Sequence, residues 1–258
     1  MAGVTEQRSP HSIRFGSIRP SRLVDNGERQ NFVGVVGRRT QMATAYDAVV
    51  FDNDGVLTTP TDRSALLEAM DEAFDAVGVR EPPDHHRETL LSPSVDSLQT
   101  IADAHDVDPR TLWSAREEAA IAAQLGEIEA GRKRLYDDID ALEDLETPTG
   151  IVSNNQHETI GNIVDHYGLD SFEIWYGREP SLEGIERKKP TPHYLERALA
   201  DLEADDALYV GDSWVDVAAA DAAGVDVAFI RRAHRREYEL ERVPTYEIEG
   251  LGDIQELL

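Results

Sequence analysis

Two carboxylates stand two positions apart at the end of a short apolar run. The run is "DAVVF", and Asp52 and Asp54 follow it in the stretch "YDAVVFDNDGVLTT". Like charges held this close destabilise a folded chain unless something positive lies between or beside them. The pair therefore predicts a cation at this point of the structure.

Polar side chains also follow other apolar runs. Ser153 closes "TGIVS", Lys188 and Lys189 lie in "ERKKP", and Asp212 follows "ALYV", with Asp216 four residues later. Taken singly, each has a common structural explanation, such as a turn, a helix cap or an exposed lysine. In an open sheet, however, ligands bind beyond the carboxyl ends of parallel strands. The combination of these residues, in this order, predicts one shared site.

The residue types indicate phosphoryl transfer. Asp52, Asp54 and Asp212 cannot all stay ionised at one place without a cation. Carboxylate oxygens with no cluster of His or Cys nearby favour Mg²⁺, whose coordination a substrate phosphate completes. Lys189 and Ser153 suit the phosphoryl oxygens. Together they provide a carboxylate nucleophile, an acid–base group, a metal ion and anion-binding groups, which are the requirements for catalysis through an aspartyl-phosphate.

Strands and helices alternate in the pattern of an α/β fold. The predicted strands are "DAVVF", "TGIVS", "ALYV" and "VDVAFI". The helical patterns "HETIGNIVDHYG", "PHYLERALADL" and "WVDVAAADAAG" lie between the later strands. Buried strands separated by helices of this length predict a parallel sheet that is covered on both faces.

A long helical segment interrupts this alternation. Residues 59–134 contain helical patterns but no strand pattern, and Asp108 followed by Pro109 predicts the start of one helix. The segment separates the first two strands, which predicts an inserted helical cap. We therefore expect an α/β core formed by residues 42–58 and 135–258, with residues 59–134 as the cap.

Composition narrows the possible partners. The chain has 258 residues, 51 acidic and 25 basic, with a net charge of -26. Such a charge repels nucleic acid and anionic membranes, so we interpret "RRAHRRE" (231–237) as a solvated face. Abundant Asp and Glu with only three lysines (Lys133, Lys188 and Lys189) resembles the surface of halophilic proteins.

The N-terminus differs from the rest of the chain. Residues 1–41 carry seven arginines against three acids and show no helical or strand period. We expect a flexible tail or spurious upstream sequence, with a functional basic arm as the alternative. No apolar run reaches the ~20 residues of a membrane span, and the N-terminus has no secretory signal, so a cytoplasmic location is expected. The absence of cysteine excludes disulfides and thiolate chemistry.

These motifs resemble the haloacid dehalogenase (HAD) superfamily of phosphotransferases, in its phosphoglycolate phosphatase and β-phosphoglucomutase-like branch. The matching stretches are "DNDGVL", Ser153 in "IVSNN", Lys189 in "KKPTPHYLERAL", and "GDSWVDVAAADAAG", within about residues 46–232. The resemblance implies a Rossmann-like, doubly wound core with a helical cap. Lys188 is an alternative to Lys189, and Thr59 stands where many relatives carry an acid.

The resemblance also implies a role for each matching residue. Asp52 attacks phosphorus and ligates Mg²⁺. Asp54 protonates the leaving oxygen and later takes a proton from water, while its backbone carbonyl ligates the metal. Ser153 and Lys189 hold the phosphoryl oxygens, and Asp212 binds Mg²⁺.

For some of the neighbouring residues, more than one role is possible. Asp216 either ligates the metal or orients Lys189. Gly55 permits a sharp backbone turn. Asn154 and Asn155 are candidates for phosphate binding, with capping of the next helix as the alternative.

The predicted function is a Mg²⁺-dependent phosphatase for a small phosphomonoester, with phosphoglycolate or a sugar phosphate as first candidates. A phosphomutase of the β-phosphoglucomutase type shares every core motif and is the alternative. Dehalogenases lack an acid at the position of Asp54. Among non-enzymes, a receiver domain is shorter and lacks the "GDxxxD" stretch, and a catalytically silent binding protein would normally have lost Asp52 or Asp54. The oligomeric state stays open.

Overall fold

A single parallel sheet organises the part of the chain that the computed structural model describes, residues 46–258. The expectations for residues 1–41 lie outside this range. The strand order is β3-β2-β1-β4-β5-β6, and every neighbouring pair is parallel. The strands are β1 (Ala48–Phe51), β2 (Thr149–Gln156), β3 (Ile174–Arg178), β4 (Ala207–Gly211), β5 (Asp226–Ile230) and β6 (Tyr246–Ile248).

Helices fill most of the connections between these strands. They are α1 (Arg63–Ala76), α2 (Asp84–Leu91), α3 (Val95–Ala104), α4 (Pro109–Glu129), α5 (His157–Tyr167), α6 (Leu182–Arg187), α7 (His193–Asp201) and α8 (Trp214–Ala223). Short 3₁₀ helices cover Ile139–Leu142, Ala233–Arg235 and Leu251–Glu256. No helix among residues 46–258 combines the length and the apolar character that crossing a membrane requires.

Alternate residues of the strands build two separate apolar layers. In β1, Val49 and Phe51 pack in the cluster that contains Ile160 and Ile163 of α5. Val50 between them packs on the opposite face, in the cluster that contains residues of α7 and α8. Because side chains alternate across a strand, helices must cover both faces. The predicted doubly wound, Rossmann-like α/β fold is therefore confirmed.

Helices α1–α4 lie between β1 and β2 along the chain and share their own apolar cluster. Phe74, Leu98 and Leu112 belong to this cluster, which Ile185 of α6 joins. The predicted start of α4 is correct, because the Asp108 carboxylate accepts a hydrogen bond from the Thr111 N–H at 2.9 Å. The division of the chain into a core and a cap domain stays a prediction.

Two strands and two helices were not predicted from the sequence. Strand β3, "IWYGR", is only partly buried and ends in arginine, and β6 has three residues. Neither gives the apolar run of a central strand, because β3 and β6 are the edges of the sheet. Helices α2 and α6 are short, with eight and six residues.

We expect Leu112→Ala to lower the free energy of unfolding by about 2–5 kcal/mol, since the side chain is fully buried and its loss leaves a cavity. Urea denaturation followed by circular dichroism at high salt measures the change. Ser114→Ala, at an exposed position of the same helix, should change it by less than about 0.5 kcal/mol. Equal effects of the two substitutions would contradict a packed interior among these helices.

Candidate active site

The sheet register brings three of the predicted residues to one edge. The last residue of β1 pairs with Ile151 in the first half of β2 and with Val210 near the carboxyl end of β4. Asp52 and Asp212 therefore directly follow β1 and β4, whereas Ser153 lies just beyond Ile151 within the longer β2. All three are buried at the same edge of the sheet. This is also where the strand order reverses direction, the position at which doubly wound sheets bind their ligands.

Lys189 lies at the centre of this edge. Its Nζ donates hydrogen bonds to Asp216 Oδ1 at 2.6 Å and to the Tyr209 hydroxyl at 2.7 Å, and it lies 3.0 Å from Asp52 Oδ1. Burial opposes the charge on Lys189, but Asp216 and Asp52 outweigh it and raise its pKa well above the usual value. Lys189 is therefore a fixed, buried cation beside the predicted nucleophile.

Asp216 connects Lys189 to the start of helix α8. One carboxylate oxygen accepts the bond from Lys189, and the other accepts from the backbone N–H groups of Asp212 and Ser213 at 3.2 and 3.0 Å. Of the two predicted roles, orientation of Lys189 is visible as a direct bond. The side chain of Asp216 is completely buried, so these hydrogen-bond partners set its position.

Three carboxylates form a group that fits a divalent cation. One oxygen each from Asp52, Asp212 and Asp216 lie within 4.8 Å of one another. Burial and the neighbouring Asp216, Asp212 and Asp54 raise the pKa of Asp52 to about 7, although Lys189 opposes this. Oxygen-only ligands match Mg²⁺, and a bound cation would return Asp52 to its ionised form. Metal ligation by the Asp54 carbonyl stays a prediction.

Gly55 keeps space beside this group. Its φ is +84°, in the left-handed region that glycine adopts without strain. A Cβ at this position would lie 2.2 Å from Asp212 Oδ2. The glycine of "DNDG" therefore allows both the sharp turn after Asp54 and the close approach of Asp212.

The interpretation of "RRAHRRE" as a solvated face is wrong for Arg232, whereas His234 is exposed and Arg235 is partly buried. His234 Nε2 and Arg235 Nε lie 2.8 and 2.9 Å from Asp212 Oδ2. Arg232 is buried and binds Asp138 through two hydrogen bonds of 2.7 and 2.9 Å. Arg232 and Arg235 therefore pair with acids of the described residues, Arg235 with Asp212 at the end of β4 and Arg232 with Asp138.

Asp54 has two partners that the sequence analysis did not assign to it. Its Oδ1 pairs with the buried Lys133, and its Oδ2 accepts a hydrogen bond from Asn155 Nδ2 at 2.8 Å. Burial opposes ionisation of Asp54, but Lys133 outweighs it and lowers the pKa of this carboxyl. The sequence offered one indication of this role. Lysine occurs only three times in the chain, and Lys133 lies just before residue 135, where the predicted core begins again.

Asn154 and Asn155 do not cap the next helix, because Gln156 is the N-cap of α5 and makes no side-chain capping bond. Instead, the Asn154 amide binds the backbone of Lys189, accepting from its N–H at 2.7 Å and donating to its carbonyl at 3.0 Å. Asn155 also receives a 2.8 Å bond from Gln124 of α4. These amides connect the end of β2 to Lys189, to Asp54 and to the helical segment.

A cavity of about 290 Å³ opens beside Asp54. Asn154, Asn155 and Gln124 line it together with Asp54, and residues of α4, α6 and the end of β3 form other parts of its wall. Thr59, where many relatives carry an acid, is not among its lining residues; its carbonyl accepts a 3.2 Å hydrogen bond from Lys133. The cavity is large enough for a small metabolite.

Comparison with known proteins agrees with the doubly wound sheet. A model of the haloacid dehalogenase-like hydrolase family matches residues 46–224. The match covers more than half of the chain. The chain belongs to this family of hydrolases.

Individual relatives are more distant. Pyrophosphatase PpaX of Anoxybacillus flavithermus is 27% identical, over 82% of this chain and 96% of its own length. A phosphoglycolate phosphatase of Cereibacter sphaeroides is 28% identical, over 81% and 96%. The crystal structure of CbbY from Rhodobacter sphaeroides in complex with phosphate has a TM-score of 0.61 at 17% identity, covering 81% of this chain and 96% of that one. It shows the same fold.

We expect Gly55→Ala to weaken Mg²⁺ binding by about 10–100-fold, because the new methyl group displaces the Asp212 carboxylate. Isothermal titration calorimetry measures the affinity. Gly78→Ala is the matched control, since Gly78 has a φ of +80° but no atom within 4 Å of the added Cβ. Equal Mg²⁺ affinities in the two variants would rule out the proposed crowding of the metal ligands.

Proposed function

We propose that this protein is a Mg²⁺-dependent phosphatase that hydrolyses a small phosphomonoester through a phosphorylated Asp52. The observation that carries the proposal is the 3.0 Å contact between Lys189 Nζ and Asp52 Oδ1 inside a group of carboxylates. A buried cation beside a buried carboxylate can hold a phosphoryl oxygen while that carboxylate attacks phosphorus. The relatives named as pyrophosphatase and phosphoglycolate phosphatase support this chemistry.

In the first half of the proposed reaction, one oxygen of Asp52 attacks phosphorus. The bond between phosphorus and the ester oxygen breaks, and Asp54 donates a proton to the departing alkoxide. For this step Asp54 must be in its protonated form, whereas its pairing with Lys133 favours the ionised form. Ser153 and Lys189 hold the phosphoryl oxygens, and Asn154 keeps the Lys189 backbone in place. Direct phosphate binding by Asn154 stays a prediction.

In the second half, water attacks phosphorus and Asp54 takes its proton. The bond to Asp52 breaks, which releases inorganic phosphate and restores the carboxylate. Lys133 favours the ionised form of Asp54 that this step needs. A Mg²⁺ ion held by Asp52, Asp212 and the carbonyl of Asp54 would neutralise charge on the phosphoryl group.

Phosphoglycolate and sugar phosphates are the first substrate candidates, and a phosphomutase remains the alternative. A panel of phosphorylated metabolites assayed with Mg²⁺ at high salt separates the two. A phosphatase releases inorganic phosphate, whereas a mutase returns the phosphoryl group and yields an isomeric sugar phosphate. Membership of a hydrolase family disfavours the receiver-like and catalytically silent alternatives.

Asp52→Asn should lower the rate of phosphate release by about a thousandfold or more, because the amide is a poor nucleophile and a poor metal ligand. Asp47→Asn is the control, since Asp47 lies at the opposite end of β1 and binds the backbone of Asp205 and Asp206. Phosphate release is measured after circular dichroism has shown that both variants fold. A near-normal rate for Asp52→Asn would refute its covalent role.

Removal of metal should abolish turnover reversibly. Treatment with EDTA followed by desalting is expected to reduce phosphate release to the background rate, and added Mg²⁺ should restore it. Asp212→Asn should raise the Mg²⁺ concentration needed for half-maximal activity, because one anionic ligand is lost. Full activity of the desalted enzyme in EDTA would be incompatible with the proposal.

A further inference from the structure

Positive charge accumulates on the cavity wall formed by α4, β3 and the end of α6. Arg116, Arg178 and Lys188 all line this cavity, and we call them the cationic wall. Arg116 Nη1 and Arg178 Nη2 bind the same oxygen of Glu117, at 2.6 and 2.8 Å. One carboxylate thus serves two guanidinium groups, in a chain whose net charge is -26.

Lys188 is the member of the cationic wall without an acidic partner among residues 46–258. Its Nζ donates to Ser92 Oγ at 3.0 Å and to the Pro93 carbonyl at 3.1 Å, and both acceptors are neutral. Burial, together with Arg178 and Arg116, lowers the pKa of Lys188 to about 8. Three cations and one anion leave this wall with an excess of two positive charges.

Two hydrogen-bond donors on the same cavity also lack partners within the described residues. Trp113 Nε1 and Gln156 Nε2 are buried without an acceptor, and both residues line the cavity. The Arg178 guanidinium lies 4.6 Å from the centre of the Trp113 ring. Buried donors without acceptors are costly, and these two add to the excess of donors around the cavity.

We propose that the cationic wall binds a second anionic group of the substrate, so that the enzyme selects phosphomonoesters that carry a carboxylate or a second phosphate over esters of neutral alcohols. Lys188 is the specificity-determining residue. The inference rests on the proposed function, because Asp54 lines the same cavity and marks where the scissile ester would lie. The remaining lining includes Leu66, Leu91 and Ile185, which suits a short carbon chain between the two anions.

The arginines of the cationic wall also have a structural role, which makes Lys188 the better test. Glu117 joins Arg116 of the same helix to Arg178 of β3, so removal of either arginine would leave a buried carboxylate with less compensation. Lys188 contacts neutral atoms only. Its replacement by methionine keeps an unbranched side chain of similar length, removes the charge and leaves no carboxylate unpaired.

The test compares kcat/KM for three esters: 2-phosphoglycolate, ethylene glycol bisphosphate and ethyl phosphate. Wild type should favour the first or the second over ethyl phosphate, and the preferred ester shows whether a carboxylate or a phosphate is recognised. Lys188→Met should lower this preference about tenfold or more, since a charge-assisted hydrogen bond is lost. Lys188→Arg should retain most of it.

Arg187→Met is the matched control for charge. Arg187 precedes Lys188, is exposed and pairs with Glu179 at 3.0 Å, but it does not line the cavity. It should leave the preference for the doubly charged esters unchanged. An equal loss in Arg187→Met and Lys188→Met would indicate long-range electrostatics and overturn the assignment of Lys188.

Measurements of ligand affinity test this inference independently of the proposed reaction. In Asp52→Asn, calorimetry should give a dissociation constant for 2-phosphoglycolate or the bisphosphate about tenfold or more below that of ethyl phosphate, and Lys188→Met should remove the difference. Failure of wild type to release phosphate from any ester would refute the phosphatase but leave this result valid. Equal affinities for all three ligands, or a preference that survives Lys188→Met, would overturn the second-anion site.

Discussion

The ion pair between Lys189 and Asp52 is the contact on which the geometry of the site depends. Asp52, Asp212 and Asp216 are almost completely buried within a few ångströms of one another. Such a group cannot remain charged in a protein interior without compensation. Lys189 supplies one buried positive charge, and Asn154 fixes its backbone to the end of β2. A stable fold therefore requires a cation among these acids, and the proposed chemistry requires one at the same place.

Close approach of these acids also requires glycine at two positions. Gly55 leaves room for the Asp212 carboxylate, and a Cβ on Gly211 would lie 2.2 Å from the Cβ of Asp216. The glycine before Asp212 thus allows the first turn of α8 to fold back against the end of β4. Asp216 can then cap that helix and hold Lys189 with its other oxygen. Glycine is needed in both motifs because a larger side chain at position 55 would displace Asp212, and one at position 211 would displace Asp216.

The strand-end residues were predictable from sequence because parallel strands place their carboxyl ends together. The residues that surround them were not, since they reach the site through long connections. Lys133 lies 79 positions from Asp54, and Arg235 lies 23 positions from Asp212. Asn155 was recognised as a polar strand-end residue, but its bond to Asp54 joins residues 101 positions apart, and it lies where the register of β2 with β3 shifts. Short sequence motifs cannot predict contacts between residues so far apart in the chain.

The three lysines of the chain connect its composition to its chemistry. Lys133 pairs with Asp54, Lys189 with Asp52, and Lys188 lines the cavity beside them. Cations elsewhere in the chain are arginines, whose guanidinium groups stay charged at any accessible pH. The ammonium group is compact, and its pKa responds to burial and to neighbouring charges, as the opposite shifts of Lys188 and Lys189 illustrate. All three lysines of the chain therefore lie at the candidate site, two of them against its carboxylates and the third on its cavity wall.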